Sequence, residues 1–237
     1  MLKVIKNIVI VCGIMLAWQG ALVAEQTVMA QGFEDTDFFG RLSANGYTMA
    51  SSAGGKWGVF GSDKAVSISD EQAAVGKYSL KITRMDKSQT NAIGAIGTAL
   101  SAETSISLEI WIYRPDLSDF SVALGGIDQA TGRTVNVAAL VAGENGKLMI
   151  RNATDDKWQR TSLKMPDELW VPVFIAIDRA AKKIVFKIEL NGKTEIIGIR
   201  ELTGPAVAID RLLMGAAPCP PGSSIYFDEV KITSITQ

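Results

Sequence analysis

The residues of this sequence with the most potential for chemistry lie in one alternating stretch, SISLEIWIYR, from Ser105 to Arg114. Its apolar positions are Ile106, Leu108, Ile110 and Ile112, which alternate with Ser107, Glu109, Trp111 and Tyr113. Strict alternation predicts a β-strand with its aliphatic row facing a core. The opposite face would then carry Glu109 beside Trp111 and Tyr113. Two aromatic rings and a carboxylate are what a sugar-binding surface needs, so this row predicts a carbohydrate-binding platform.

Two other residues could add to this platform or replace it. Asn136, in the candidate strand TVNVAALV, could supply an amide from a neighbouring strand. Trp57, in the GGKWGVFG segment, is a second candidate for an exposed ring, because loop tips often carry function. The alternative is that Trp111 and Tyr113 are covered by loops, since large aromatic side chains usually serve packing. Both interpretations stay open at the level of sequence.

The composition excludes several other kinds of chemistry. The chain has no histidine, which removes Ser-His and Cys-His nucleophile pairs and histidine-metal centres. The formal net charge is −1, and the lysines and arginines are scattered among acids along the chain. Nucleic-acid binding would need a basic stripe, so no nucleic-acid partner is expected.

The N-terminus has the layout of a secretory signal peptide. Lys3 and Lys6 precede an apolar run from Ile8 to Trp18, and small residues follow. Cleavage could follow Ala24 or Ala30, and the second position has the better small-residue pattern. The apolar run is shorter than the roughly 20 residues that a membrane span needs. We therefore expect residues 1–30 to be a leader, no membrane span after its removal, and a secreted, periplasmic or cell-surface protein.

Removal of such a leader has a consequence for stability. The two cysteines are Cys12, inside the apolar run, and Cys219. Only Cys219 would remain, so no intramolecular disulfide could form despite the exported setting. Stability must then come from the hydrophobic core or from a metal.

The remainder of the chain, residues 31–237, reads as one all-β domain. It consists of apolar runs of four to ten residues separated by turn residues, without a long segment of helical period. Asn145-Gly146 and Asn191-Gly192 favour left-handed turn dihedrals and predict two hairpins. The stretches 158–165, 170–178 and 184–190 read as consecutive strands of one antiparallel meander. So many short strands predict two stacked sheets, a jelly-roll antiparallel sandwich.

Several segments in this order resemble a known group. They are GFED, YSLKI, SISLEIWIY, WVPVFIAIDRAAKKIVFKIELNGK, DRLLMG and YFDEVKI. Together they resemble the concanavalin A-like lectin/glucanase superfamily, including LamG-like and carbohydrate-binding jelly rolls. This resemblance implies a jelly-roll fold and a polysaccharide or glycan as partner. The group also includes glycoside hydrolases, polysaccharide lyases and adhesion modules.

The enzymatic branches of that group are not matched residue by residue. Laminarinase-like members carry Glu-x-Asp-x-(x)-Glu on one strand, with carboxylates spaced for glycoside cleavage. Here Trp111 and Tyr113 follow Glu109 where its catalytic partners would stand. Alginate-lyase-like members use a histidine, which this chain lacks. The sequence therefore predicts a protein without catalytic activity.

The resemblance also implies a structural calcium ion. The matching positions are Glu34 in GFED, a backbone carbonyl near Gly76 and Lys77, and Asp228 in YFDEV. Calcium prefers six to eight oxygen ligands, and an ion here would tie the start of the domain to its last strand. A chelator would then lower the thermal midpoint. The alternative is that Glu34 and Asp228 are ordinary turn and edge residues.

These observations lead to one main hypothesis and two alternatives. The main hypothesis is an exported, non-catalytic jelly-roll domain that binds a carbohydrate and holds a structural Ca²⁺. The first alternative is a surface structural or adhesion module whose ligand is a protein. The second is a divergent polysaccharide hydrolase or lyase.

Overall fold

The computed structural model describes residues 24–34, 50–52, 55–60, 65–85, 90–96, 100–101, 104–115, 118–152, 157–204, 207–216 and 220–236. The predicted leader up to residue 23 and Cys219 lie outside these residues. In the described part of the chain, no helix is long and apolar enough to cross a membrane.

The described residues form two antiparallel sheets. The first contains β1 (Ala24–Gln31), β4 (Val66–Ser69), β5 (Ser79–Thr83), β7 (Ser105–Tyr113), β12 (Trp170–Asp178), β13 (Lys183–Leu190), β14 (Lys193–Glu201) and β16 (Ser224–Thr236). The second contains β2 (Ala50–Ser52), β3 (Gly55–Phe60), β6 (Thr90–Ile96), β8 (Phe120–Asp128), β9 (Arg133–Ala142), β10 (Lys147–Asn152), β11 (Gln159–Lys164) and β15 (Arg211–Ala216). The prediction of an all-β, two-sheet jelly-roll sandwich is confirmed.

The order of strands differs from their order in the chain. The first sheet runs β14-β13-β12-β7-β16-β5-β4, with β1 paired to β16. The second runs β11-β10-β9-β8-β15-β6-β3-β2. The chain moves from one sheet to the other at each step from β5 to β8, so both sheets must form before either is complete.

The alternating residues of β7 occupy the positions that their pattern predicts. Ile106, Leu108, Ile110 and Ile112 are fully buried between the sheets. Strands β12 and β13 flank this core with further aliphatic rows, for example Val173, Ile175 and Phe186, which are also fully buried. Alternation therefore assigned the inward face of this central strand correctly.

Both Asn-Gly pairs form turns as predicted. Asn145 and Gly146 have φ of 62° and 72°, and they connect β9 to β10 through a 3₁₀ turn at Glu144–Gly146. Asn191 and Gly192 have φ of 52° and 72° and connect β13 to β14. Positive φ is tolerated by these two residue types, and the turn twist matches the twist of the strands.

The predicted meander from 158 to 190 is wrong at its first step. Strand β11 pairs with β10 in the second sheet, whereas β12 pairs with β7 and β13 in the first. The chain crosses between the sheets in residues 165–169, because β12 buries its aliphatic row beside that of β7. Strands β12, β13 and β14 do form a meander.

The first described strand lies inside the range predicted as leader. Strand β1 pairs antiparallel with β16 from Ala24, opposite Thr236, to Gln31, opposite Val230. Its Met29 is fully buried. This strand therefore contributes both backbone pairing and a side chain to the core.

Candidate functional site

The outward face of β7 carries Glu109, Trp111 and Tyr113, each half-buried. The Tyr113 ring packs between two other rings, with centroid distances of 5.5 Å to Trp170 and 5.9 Å to Tyr226. The predicted row thus exists, but one of its rings already has aromatic partners within the sheet. This arrangement matches the packing alternative for Tyr113.

Asn136 does not belong to that face. It lies on β9 in the second sheet, opposite Gly125 of β8. The neighbours of β7 are β12 and β16, so Asn136 and Trp111 lie on different sheets. The expectation of a shared platform was wrong because sequence proximity of strands does not decide which strands pair.

Trp57 is not an exposed loop residue. It lies in β3, its side chain is fully buried, and its ring packs against Phe33 at 5.4 Å in an edge-to-face arrangement. The prediction of an exposed ring at Trp57 is therefore wrong. The glycines around it allow an extended strand rather than a protruding loop.

The second sheet carries a groove on its outward face, and its floor consists of small residues. Ala123 on β8 lies opposite Ala139 on β9. Leu213 on β15 and Arg151 on β10 continue this row on either side. Two alanines between two larger side chains leave a trough, whose volume is about 430 Å³.

A second row of residues extends the groove along the strands. Ser121 lies opposite Val141, which in turn lies opposite Met149. Asn136 also lines the groove and supplies an amide to it. The groove therefore combines an apolar floor with a few polar groups, which is the usual composition of a small-molecule site.

One wall of the groove is formed by Trp158 and Arg151. Trp158 keeps 37% of its surface exposed, and the Arg151 guanidinium lies 4.8 Å from the centroid of its ring. A cation over an indole face restrains the ring at an exposed position. The sequence interpretation had assigned Trp158 to edge packing. The signal it missed was the small side chains of Ala123 and Ala139 at outward positions, where a solvated sheet face normally carries polar residues.

Glu34 and Asp228 both bind backbone N–H groups of the segment 74–78. Lys77 N donates to Glu34 Oε1 and Oε2 at 3.1 and 3.2 Å, and Tyr78 N donates to Oε1 at 3.0 Å. Ala74 N donates to Asp228 Oδ2 at 2.9 Å, and Val75 N donates to the same oxygen at 3.2 Å. The start of the domain and its last strand thus hold one loop from two sides. We call this arrangement the carboxylate clamp.

The clamp does not have the donor set of a calcium site. Asp228 Oδ1 also accepts from Glu229 N at 2.8 Å, so every oxygen of the two carboxylates already has an N–H donor. Among the described residues, no group of three or more histidine, cysteine, aspartate or glutamate side chains could hold a metal ion. Calcium binding stays a prediction, and these contacts favour the alternative in which both residues act as hydrogen-bond acceptors.

Burial dominates the electrostatics of the clamp. Burial raises the pKa of Asp228 to about 6, although the N–H donors of Val75, Glu229 and Ala74 act in the opposite direction. Burial also raises the pKa of Glu229, with smaller contributions from the carboxylates of Glu109 and Glu34. The native protein therefore takes up protons here at a pH at which ordinary carboxylates remain ionised.

A second polar cluster lies on the outward face of the first sheet. The Tyr226 hydroxyl donates to Glu71 Oε2, and Lys81 Nζ binds Glu71 Oε1 at 2.6 Å. The hydrogen bonds from Lys81 and Tyr226 lower the pKa of Glu71, while burial and Glu71 raise the pKa of Tyr226. These partners satisfy one another, so this cluster supports the sheet and does not present free groups to a ligand.

No family model matches this chain, and no curated protein sequence matches it. Solved structures do. A carbohydrate esterase from the Shiga toxin-encoding bacteriophage phi24B has a TM-score of 0.58 at 11% identity, covering 89% of this chain and 99% of that one. Arcelin-5, a lectin-like defence protein from Phaseolus vulgaris, has 0.54 at 8% identity, covering 91% and 99%.

Toxin binding domains form the third group. The binding domain of botulinum neurotoxin DC, solved in complex with SialylT, has a TM-score of 0.54 at 11% identity and is matched over 87% of this chain. The chain spans about half the length of the toxin binding domains that it matches, 47% in this case. At such identities the likeness establishes the fold alone.

Proposed function

We propose that this chain, a jelly-roll sandwich of the concanavalin A-like type, is an exported, non-catalytic domain that binds a glycan in the groove on its second sheet. The observation that carries the proposal is the groove of about 430 Å³ whose rim holds the exposed ring of Trp158. The solved structures with this fold include lectin-like and glycan-bound binding domains, which supports a binding role.

The chemistry of the groove fits a sugar ring. The flat indole of Trp158 offers a surface on which the C–H face of a pyranose can stack. Asn136 offers an amide donor and acceptor for hydroxyl groups. The alanine floor lets a ring approach the backbone of the sheet, where a larger side chain would exclude it.

The groove is a better candidate than the outward face of β7. Tyr113 packs its ring against Trp170 and Tyr226, so a ligand would compete with these contacts. Glu109 lines a much smaller pocket of about 160 Å³ beside Ser107 and Lys231. Neither arrangement combines an exposed ring with a cavity of sugar size.

The absence of acids from the groove supports a non-catalytic role. None of the described residues that line it is an aspartate or glutamate. Glycoside hydrolysis normally needs two carboxylates on either side of the scissile bond. A bound glycan in this groove would therefore lack both an acid and a nucleophile within reach.

We propose further that the exported protein begins after Ala24 and retains β1. Cleavage after Ala30 would remove the backbone pairing of β1 with β16 and take the buried Met29 out of the core. The loss of a buried methionine alone costs about 2 to 5 kcal/mol. Retention of the strand outweighs the better small-residue pattern at Ala30.

The test is glycan-array binding followed by calorimetry on the purified protein, comparing Trp158→Ala with Trp111→Ala. Loss of the stacking ring at Trp158 is expected to weaken binding at least about tenfold, or about 1.4 kcal/mol. Ile196→Ser, an exposed site on β14 of the other sheet, is the matched control and should bind normally. Loss of binding in Trp111→Ala but not in Trp158→Ala would move the site to β7. An array without any bound glycan would refute carbohydrate binding.

A further inference from the structure

The groove has a basic side, formed by the two strands at its edge. On β10, Lys147, Met149 and Arg151 alternate with buried residues and so share the outward face. Met149 and Arg151 line the groove. On β11, Arg160 lies opposite Met149 and Lys164 lies opposite Lys147, which puts them on the same face. We call Lys147, Arg151, Arg160 and Lys164 the basic edge.

The charge of the basic edge is not balanced locally. Lys147, Arg160 and Lys164 are exposed, and they form no ion pair within the part of the chain that the structure describes. The acids found elsewhere are also missing from the described lining of the groove. Because the whole chain has a formal net charge of −1, these cations represent a local concentration and not a general excess.

Protection of a sheet edge explains only part of this pattern. Strand β11 is an edge strand, and charged side chains on such strands prevent pairing with other molecules. That role accounts for Arg160 and Lys164. It does not account for Lys147 and Arg151, because β10 is paired on both sides.

The position of Lys147 points in the same direction. It lies directly across from Lys164 in the strand pair. Like charges at directly opposed positions destabilise a sheet. The fold gains nothing from this pair, whereas an anion bound across it would turn the repulsion into attraction.

We propose that the ligand of the groove is an anionic polysaccharide, with acid groups carried on its sugar rings. This inference rests on the proposed function and names its substrate class. One sugar stacks on Trp158, while the acid groups of neighbouring sugars lie along the basic edge. The four residues of strand from Lys147 to Arg151 span roughly 13 Å, so the edge contacts an oligomer and not a single sugar.

The test compares three probes by calorimetry: polygalacturonate, the neutral glucan laminarin, and poly-L-glutamate as an anion without sugar. Polygalacturonate is expected to bind about tenfold more tightly than laminarin at low salt, and added NaCl should remove most of this advantage by screening exposed charges. Poly-L-glutamate should bind weakly because it has no ring to stack on Trp158.

A double variant, Lys147→Ser with Lys164→Ser, isolates the basic edge. Its affinity for polygalacturonate should fall about fivefold, since each exposed ion pair contributes about 0.2–1 kcal/mol. Its thermal midpoint should stay equal or rise slightly, because the opposed charges are gone. The control, Lys183→Ser with Lys193→Ser, changes the charge equally on the first sheet and should bind normally.

The possible failures are distinguishable. Laminarin bound as tightly as polygalacturonate would overturn the anionic preference and leave glycan binding intact. Poly-L-glutamate bound as tightly as polygalacturonate would show recognition of charge without sugar, which also overturns the inference. A lower thermal midpoint in the Lys147/Lys164 variant would assign those residues a structural role. If neither polysaccharide binds, the proposed function itself fails.

Discussion

Asp228 offers a direct test of the electrostatics of the carboxylate clamp. Its side chain is fully buried, and it accepts N–H groups from Ala74, Val75 and Glu229. Asp228→Asn keeps the shape of the side chain and removes its titration. At neutral pH this change has two opposed effects: it relieves the burial of a charge, and it leaves at least one backbone N–H without an acceptor, which costs about 1–3 kcal/mol. The informative quantity is therefore the pH dependence and not the stability at one pH.

The magnitude follows from the pKa of Asp228, which burial raises from 3.8 to about 6. The native state binds a proton more tightly than the unfolded state, so the stabilisation is complete below the unfolded pKa and is lost as the pH rises through the native one. The full shift corresponds to about 3 kcal/mol at about 1.4 kcal/mol per pKa unit. Between pH 7 and pH 5, linkage gives Asp228 a contribution of about 1.3 kcal/mol, equivalent to about 3–5 °C in thermal midpoint.

The assay is urea unfolding, followed by tryptophan fluorescence, of wild type and Asp228→Asn at pH 5, 6 and 7. The difference in unfolding free energy between the two proteins should shift by about 1.3 kcal/mol in favour of wild type as the pH falls from 7 to 5. The carboxylates of Glu71 and Asp128, whose pKa values are lowered by hydrogen bonds, act alike in both proteins and cancel. Parallel pH profiles for the two proteins would refute the reasoning. Should the variant not fold, the proton uptake of wild type on folding at pH 5 gives the same answer by calorimetry in buffers of different ionisation enthalpy.

Two further predictions concern the ends of the same clamp. Gly76→Ala should destabilise the protein by about 1–2 kcal/mol more than Gly132→Ala, because a Cβ at Gly76 would lie 2.4 Å from Glu34 Oε1 and displace hydrogen bonds, whereas nothing lies within 4 Å at Gly132. Both glycines have positive φ, of 72° and 67°, so the strain of alanine in that conformation cancels, and equal midpoints in urea would contradict the clamp. Intact-mass measurement of the exported protein should give a chain that begins after Ala24, and a mass that begins after Ala30 would show that β1 is dispensable.

The local pattern of the sequence was sufficient to predict individual strands and turns. The inward row of β7 follows from its alternation, because successive side chains of a strand point to opposite faces whatever its neighbours are. The turn at Asn191 follows in the same way, since few residues tolerate positive φ. Enough short strands of this kind require two packed sheets, so the sandwich was also predictable.

The neighbours of each strand were not predictable, and the candidate site depends on them. The order of strands is set by packing between segments far apart in the chain. For this reason Asn136 lies on the second sheet, Trp57 lies in the core, and β11 and β12 lie in different sheets. Trp158 could not be identified as a rim residue until Ala123 and Ala139 were known to lie side by side.

The charges show the same division. Along the sequence the lysines and arginines alternate with acids and predict no basic surface. Strand pairing brings Arg160 and Lys164 of β11 beside Lys147 and Arg151 of β10, while the period of two turns all four toward the same face. The sequence by itself determined that these residues lie on strands and which face each one takes. Only the tertiary structure determined that they meet at the edge of one groove, because register and strand order depend on the whole core.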